Sequence, residues 1–192
     1  MAKVVVKSKV KKVKRKFPVE IKAPEVFNNM SLGKTHTTDL KTFVGKSVKM
    51  NLMYLTKSVK NQNVRMLFQV TDVDSGLAKT QVKSYEQIAY YLKRFIKVGS
   101  DLVEDSFVCK SKDGLKVRVK PFIVTKKGTS AMIISDLRQK VRELIEKDIA
   151  SVTAEEYIHN VAMGKVQLGY RNEVKKIFPL KAFEFKKVVV EE

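Results

Sequence analysis

Apolar residues recur at every second position through much of the first two thirds of the chain, and at every third or fourth position beyond it. Val48, Met50, Leu52 and Tyr54 alternate with Ser47, Lys49 and Asn51, and Val64, Met66, Phe68 and Val70 alternate with Arg65 and Gln69. A period of two marks strands with one buried face. The polar stretch Thr56 to Asn63 joins the two as a loose hairpin tip, and Asp74-Ser75-Gly76 turns the chain into a third strand, Leu77 to Val82. These strands form an antiparallel meander. A helix is expected over Tyr85 to Val98. Ser84 and Gln87 have capping-box spacing, Gly99 stands where a left-handed residue ends a helix, and Tyr85, Ile88, Ala89, Leu92, Phe95 and Ile96 make an apolar stripe. Two further strands, Leu102 to Lys112 and Leu115 to Thr125, flank Asp113-Gly114.

Beyond residue 128 the period changes. Ile134, Leu137, Val141, Leu144 and Ile145 fit one helical face. Thr153 with Glu156 is a second capping box, opening a short helix that Gly164 closes, and Val166, Tyr170, Val174 and Ile177 make a third stripe ended by Pro179. Lys181 to Val190 returns to strand character, with Phe183 and Phe185 on one side. The pattern predicts an α+β protein with an antiparallel, barrel-like sheet core and packed helices. Its parts are a basic arm over 1–16, a β-rich core with one helix over 17–127, and a helical region with a final strand over 128–192, packed on the core as one unit.

Charge changes the picture most. The 192 residues hold 39 Lys+Arg against 20 Asp+Glu, a net charge of +19, with 44% apolar residues. Such an excess repels itself unless a polyanion neutralises it, so nucleic acid is the expected partner. The arm over 1–16 carries seven lysines and Arg15 with no acidic residue. It is expected to be disordered in the free protein and to order along RNA. Cys109 is the single cysteine, which suits a reducing compartment and rules out an internal disulfide. No apolar run is long enough to span a bilayer, and no apolar segment follows the basic N-terminus as in a secretory signal, so the protein is expected to stay in the cytoplasm.

Enzymatic chemistry finds no support. Gly33-Lys34-Thr35 and Gly45-Lys46-Ser47 resemble phosphate-loop endings, but the required glycine five residues earlier is replaced by Asn28 and Leu40. His36, His159 and Cys109 are scattered without metal-ligand spacing, so no metal, cofactor or small-molecule substrate is expected. Two histidines leave few options for general acid–base work. Asp101, Glu104 and Asp105 form an acidic patch that is either solvated or set against a basic neighbour.

The basic residues are organised. Lys110, Lys112, Lys116, Arg118 and Lys120 cluster on one predicted hairpin, followed by Lys126 and Lys127, with no acidic residue between Asp113 and Asp136. A three-residue loop, Asp113-Gly114-Leu115, pairs Lys112 with Lys116, Lys110 with Arg118 and Val108 with Lys120, giving one basic and one mostly apolar face. Arg138 and Arg142 lie one helical turn apart. Together with Lys7, Lys9, Lys11, Lys12, Lys14, Arg15, Lys16, Lys34, Lys165, Lys186 and Lys187, these are the candidate RNA-binding residues. Phosphate-directed cations suit shape recognition of folded RNA. A nucleoid or chromatin protein is the alternative, but it needs a groove-entering element, and these helices carry apolar stripes.

Several segments also resemble a known family. They are Ile21-Lys22-Ala23-Pro24 with Phe27, Leu32-Gly33-Lys34-Thr35, Thr125-Lys126-Lys127, Leu137-Arg138-Gln139, Gly164-Lys165, and Ile177-Phe178-Pro179-Leu180 running on to Phe183-Glu184-Phe185-Lys186-Lys187-Val188. Their order and spacing resemble the S3Ae family of small-subunit ribosomal proteins in archaea and eukaryotes. The resemblance implies a structural, non-catalytic role on the platform of the small subunit. The implied partners are small-subunit rRNA, neighbouring ribosomal proteins, and mRNA near its exit. It points to Lys34, Lys126, Lys127, Arg138, Lys186 and Lys187 as facing rRNA. The Trp that usually precedes the Ala-Pro segment is absent, and Glu143 and Glu146 dilute the basic helix. The C-terminus at Glu192 suits the archaeal form.

Overall fold

Residues 16–74 and 76–191 are described by a computed structural model. The arm reading at 1–15, with Lys7, Lys9, Lys11, Lys12, Lys14 and Arg15, lies outside the described residues. Strands β1 (Phe17–Lys22) and β2 (Ser31–Thr37) form an antiparallel pair around a 3-10 turn at Glu25–Phe27. β3 (Ser47–Asn51) pairs antiparallel with β4 (Val64–Asp74), Val48 facing Phe68 and Met50 facing Met66, as their alternation predicts. The strand expected to reach Tyr54 stops at Asn51. That side chain accepts the Met53 N–H at 2.9 Å and caps a short helix, α1 (Leu52–Thr56).

β4 turns into β5 (Leu77–Gln87), which is longer than its pattern suggested. One edge of β5 is taken by β4. The other is shared: β1 runs parallel to it at Leu77–Lys79, and β9 (Leu180–Glu191) runs antiparallel at Ser84–Glu86. This sharing overturns the helix expected over Tyr85 to Val98. Ser84 sits between Leu67 and Val189, so the presumed capping residues Ser84 and Gln87 are strand. Only α2 (Ala89–Lys93) is α-helical, continued by turns to Ser100. Ladder hydrogen bonds on both sides outweigh a local helical pattern.

The strand expected over Leu102 to Lys112 is two strands, β6 (Leu102–Glu104) and β7 (Phe107–Lys110). They are broken where the Asp105 carboxylate accepts the Ser106 N–H at 2.8 Å. β8 (Lys116–Thr125) pairs with both on one edge and with β9 on the other. The hairpin loop does hold three residues, but they are Lys112-Asp113-Gly114. The Ser111 N–H donates to the Leu115 carbonyl, and Gly114 takes φ 78°. Lys110 therefore faces Lys116 and Val108 faces Arg118, two residues from the expected register. An even shift leaves each side chain on its expected face.

Among the described residues the sheet has nine strands and stays open, with all pairings antiparallel except β1 with β5. Three helices cover one face: α3 (Ala131–Ser151), α4 (Ala154–Ala162) and α5 (Lys165–Val174). α3 lies against β7, α4 against β5 and β9, and α5 against β9. Leu137, Val141, Ile145 and Ile149 point α3 into the core at spacings of four. Phe183 and Phe185 meet Tyr170 edge-to-face at 5.8 and 6.1 Å. Each such side chain, fully buried, contributes about 1.5–3 kcal/mol. The Thr153–Glu156 capping box forms as its spacing predicts.

Candidate nucleic-acid interface

Among the described residues, the opposite, outer face of β7, β8 and β9 is covered only at one end. There Phe122, Val124 and Ala182 form a small second core with Leu92, and Tyr91 and Phe95 pack against it. The rest is basic. Because side chains alternate across a strand, Val117 and Val119 are buried while Lys116, Arg118 and Lys120 face out. Lys110 is Lys116's neighbour on β7, and Lys187 is Lys120's neighbour on β9.

Pro121 introduces one more cation. The β8–β9 register shifts between Lys120, which faces Lys187, and Pro121, which faces Phe185. The extra residue is Lys186. A proline offers no N–H to a ladder, and a bulge accommodates it there. As a result two consecutive lysines, Lys186 and Lys187, lie outside between the buried Phe185 and Val188. Together with Arg65, Lys120, Tyr90 and the carboxylate of Glu86, which faces Lys187, they line a shallow depression of about 410 Å³. Tyr90 is 81% exposed, with the Lys93 ammonium 5.9 Å from its ring centre. Arg65 and Tyr90 were missed in the sequence. Tyr90 stands off the apolar stripe beside Lys93 and Arg94, which was the available signal.

Not every cation is free. Arg142 donates to both oxygens of Asp105, at 2.5 and 2.8 Å, while its guanidinium lies 5.5 Å from the Phe107 ring centre. The Arg142 hydrogen bond holds the Asp105 carboxyl below its ordinary range. Arg118 binds Glu191 at 2.5 and 3.3 Å, which likewise lowers the Glu191 carboxyl. Lys186 reaches Glu104 at 3.0 Å, and Asp101 accepts the Thr129 N–H at 2.6 Å. The acidic patch at Asp101, Glu104 and Asp105 therefore contacts groups of this same chain.

The structure thus brings Lys110, Lys116, Arg118, Lys120, Lys186 and Lys187 onto one face. Lys112 lies in the adjoining turn, and Lys126 and Lys127 follow β8, all exposed. Arg138 sits one turn before Arg142 on α3. Lys34 is set apart, on β2, three strands from β9 and opposite Glu20. Lys165 opens α5 on the helical side, and Lys16 is exposed just before β1. Among the described residues no group of His, Cys, Asp and Glu could hold a metal ion, and no helix is long and apolar enough to cross a membrane.

The Ribosomal S3Ae family matches residues 5–192. The chain is 27% identical to the small ribosomal subunit protein eS1 of Nanoarchaeum equitans, over 93% of this chain and 90% of that protein. It is 28% identical to the eS1 of Haloarcula marismortui over 94% and 85%. With the eS1 of Methanothermobacter thermautotrophicus it shares 27% over 90% and 89%. That family is one of ribosomal structural proteins and not of enzymes. A mixed α/β chain with an open basic sheet face, matched over nearly its whole length, belongs to the Ribosomal S3Ae family in its archaeal form.

Proposed function

We propose that the chain is a structural constituent of the small ribosomal subunit, ribosome-bound in the cytoplasm. On this reading it sits on the platform near the mRNA exit and binds rRNA through the outer face of β7–β9. The observation that carries the reading is the concentration of cations on this face, with Lys110 opposite Lys116 and Lys120 opposite Lys187, against two glutamates at its margins, Glu191 beside Lys116 and Glu86 beside Lys187. Like charges directly opposite destabilise a free sheet, and phosphates laid across them remove the penalty. Lys126, Lys127 and Arg138 extend the footprint, neighbouring ribosomal proteins flank it, and mRNA passes near it.

Phosphate contact predicts salt dependence. If about 6–10 phosphates are neutralised, affinity falls roughly 10³–10⁵-fold between 50 and 200 mM salt. The deciding experiment is reconstitution of small subunits with a Lys120→Glu, Lys187→Glu double variant. Lost or salt-sensitive incorporation supports the reading, and undiminished incorporation with a flat salt titration overturns it.

A further inference from the structure

β5 and β9 part company after Glu86. Beyond that pair β5 ends at Gln87 and the chain swings into α2, while β9 continues back through Glu184 and Phe183 with no strand on that edge among the described residues. The gap is closed by the end of α4, the first turns of α5 and the segment near Lys60. A cavity of about 270 Å³ remains.

Its chemistry is unlike the outer face. Gln87 is 7% exposed and Gln167 is 9% exposed, and the Oε1 atom of each is buried with no hydrogen-bond donor among the described residues. Their amide nitrogens are used: Gln87 Nε2 donates to Glu184 Oε2 at 3.2 Å, and Gln167 Nε2 donates to the Val161 carbonyl at 2.7 Å. These bonds fix both amides and leave each oxygen an unpaired acceptor buried in the cavity wall, which a ligand reaches only by displacing the side chains around it. Glu184 adds a carboxylate that is largely removed from water, and that burial pushes its pKa upward. Tyr91 supplies an aromatic wall, and the exposed cations Lys60 and Arg171 also line the cavity, Arg171 with one N–H group on the Lys181 carbonyl at 3.2 Å.

A buried acceptor without a donor is destabilising, so an arrangement holding two beside a carboxylate suits a ligand that brings donors. The charged lining residues are two cations and one anion, which disfavours a bare cation such as a lysine side chain or a polyamine. A ligand with a donor edge inside and a negative group at the mouth matches both halves. A nucleotide has that layout: bases turned out of RNA are read on their Watson–Crick edges and stacked on aromatic rings. Guanine presents an N1–H and an amino group side by side, which a fixed carboxylate accepts together, whereas uracil presents one N–H between two carbonyls.

We propose that this cavity takes a single base turned out of an RNA strand, guanine before other amino-bearing bases and uracil last, with its phosphate held by Arg171 and Lys60. The inference rests on the reading of the chain as RNA-bound only for the source of the nucleotide.

The test uses the full chain with two short RNAs, an oligouridine and the same strand with one central guanosine. Guanosine monophosphate and uridine monophosphate are titrated separately while the side-chain amide signals of Gln87 and Gln167 are followed by NMR. The guanosine strand is expected to bind at least about tenfold tighter, the discrimination a bidentate base contact supplies. Glu184→Gln, close to isosteric, abolishes the preference without changing oligouridine affinity. Gln87→Met, which removes one acceptor at similar volume, reduces it. Amide shifts with the free guanine nucleotide mean that any such nucleotide is taken, and a preference seen only with the strand restricts the site to RNA. Equal affinity for the two strands, or a preference that survives Glu184→Gln, overturns the proposal. Failure of the outer-face reading looks different, because Lys120→Glu, Lys187→Glu would then leave oligouridine binding intact.

Discussion

Arg142 on α3 holds Asp105 in the gap between β6 and β7 through two hydrogen bonds, 37 residues apart in sequence. The pair fastens the long helix to the sheet edge and withdraws one arginine from the charge available to RNA. Asp105 is lowered in the folded state, so its stabilisation is present above the ordinary carboxylate range and is lost as pH falls through the lowered value. Arg142 is half exposed, which screens the pair. Asp105→Asn is expected to cost about 1 kcal/mol at neutral pH. Urea denaturation checks this, and the gap between variant and parent should close in acid.

Deleting Lys186 should remove the bulge, with Phe185 inside, Lys187 outside and Val188 inside as the neighbouring register dictates, at the cost of leaving Pro121 in the ladder with no N–H to donate. The variant is expected to fold with an unchanged circular dichroism spectrum. It should lose one cation of the face, which Glu104 holds in the free chain, and so lower the slope of log affinity against log salt by at most about 1. An unchanged slope would mean that the bulge serves the sheet alone.

Cys109 is buried against Val117, and burial, with Glu146 nearby, pushes its thiol up to about 11. The thiolate is the reactive form, so the folded protein should be nearly inert to a disulfide reagent at pH 7. Reaction should follow the denaturant unfolding curve. Rapid modification under native conditions would contradict the packing of β7 on α3.

Thr153 and Glu156 satisfy each other's backbone N–H groups at the start of α4. Thr153→Ala is expected to destabilise by about 1 kcal/mol and Thr153→Ser far less. Thermal melting of the two variants distinguishes loss of the cap from loss of side-chain packing.

Local signals in the sequence located local features. The capping box at Thr153, the buried spacing of Leu137 and Val141, and the alternation of Val48 and Met50 are all set by neighbours a few residues away. The hairpin frame was also within reach, because a three-residue loop wants its left-handed glycine last, and Gly114 fills that place only if the loop begins at Lys112. Phe185-Lys186-Lys187-Val188 shows the bulge as two polar residues between two buried ones. Tyr85 was different. Its spacing to Ile88 and Leu92 fits a helix, and only the distant partners Met66 and Val188 make it a strand residue. The pairing of Arg142 with Asp105 was likewise hidden, since either charge alone reads as solvated.

The opposed lysines of the outer face also carry a thermodynamic consequence. Lys110 and Lys116, like Lys120 and Lys187, are held side by side by backbone pairing that their charges resist, and Glu191 and Glu86 on the far sides offset only part of that repulsion. Dissolved ions screen that repulsion, so moderate salt should raise the melting temperature of the isolated chain. The same ions weaken its hold on phosphate. Stability and affinity should therefore move in opposite directions along one salt axis. RNA would then act on this fold as a tight ligand, adding by mass action the stability that the unbound sheet lacks in dilute buffer.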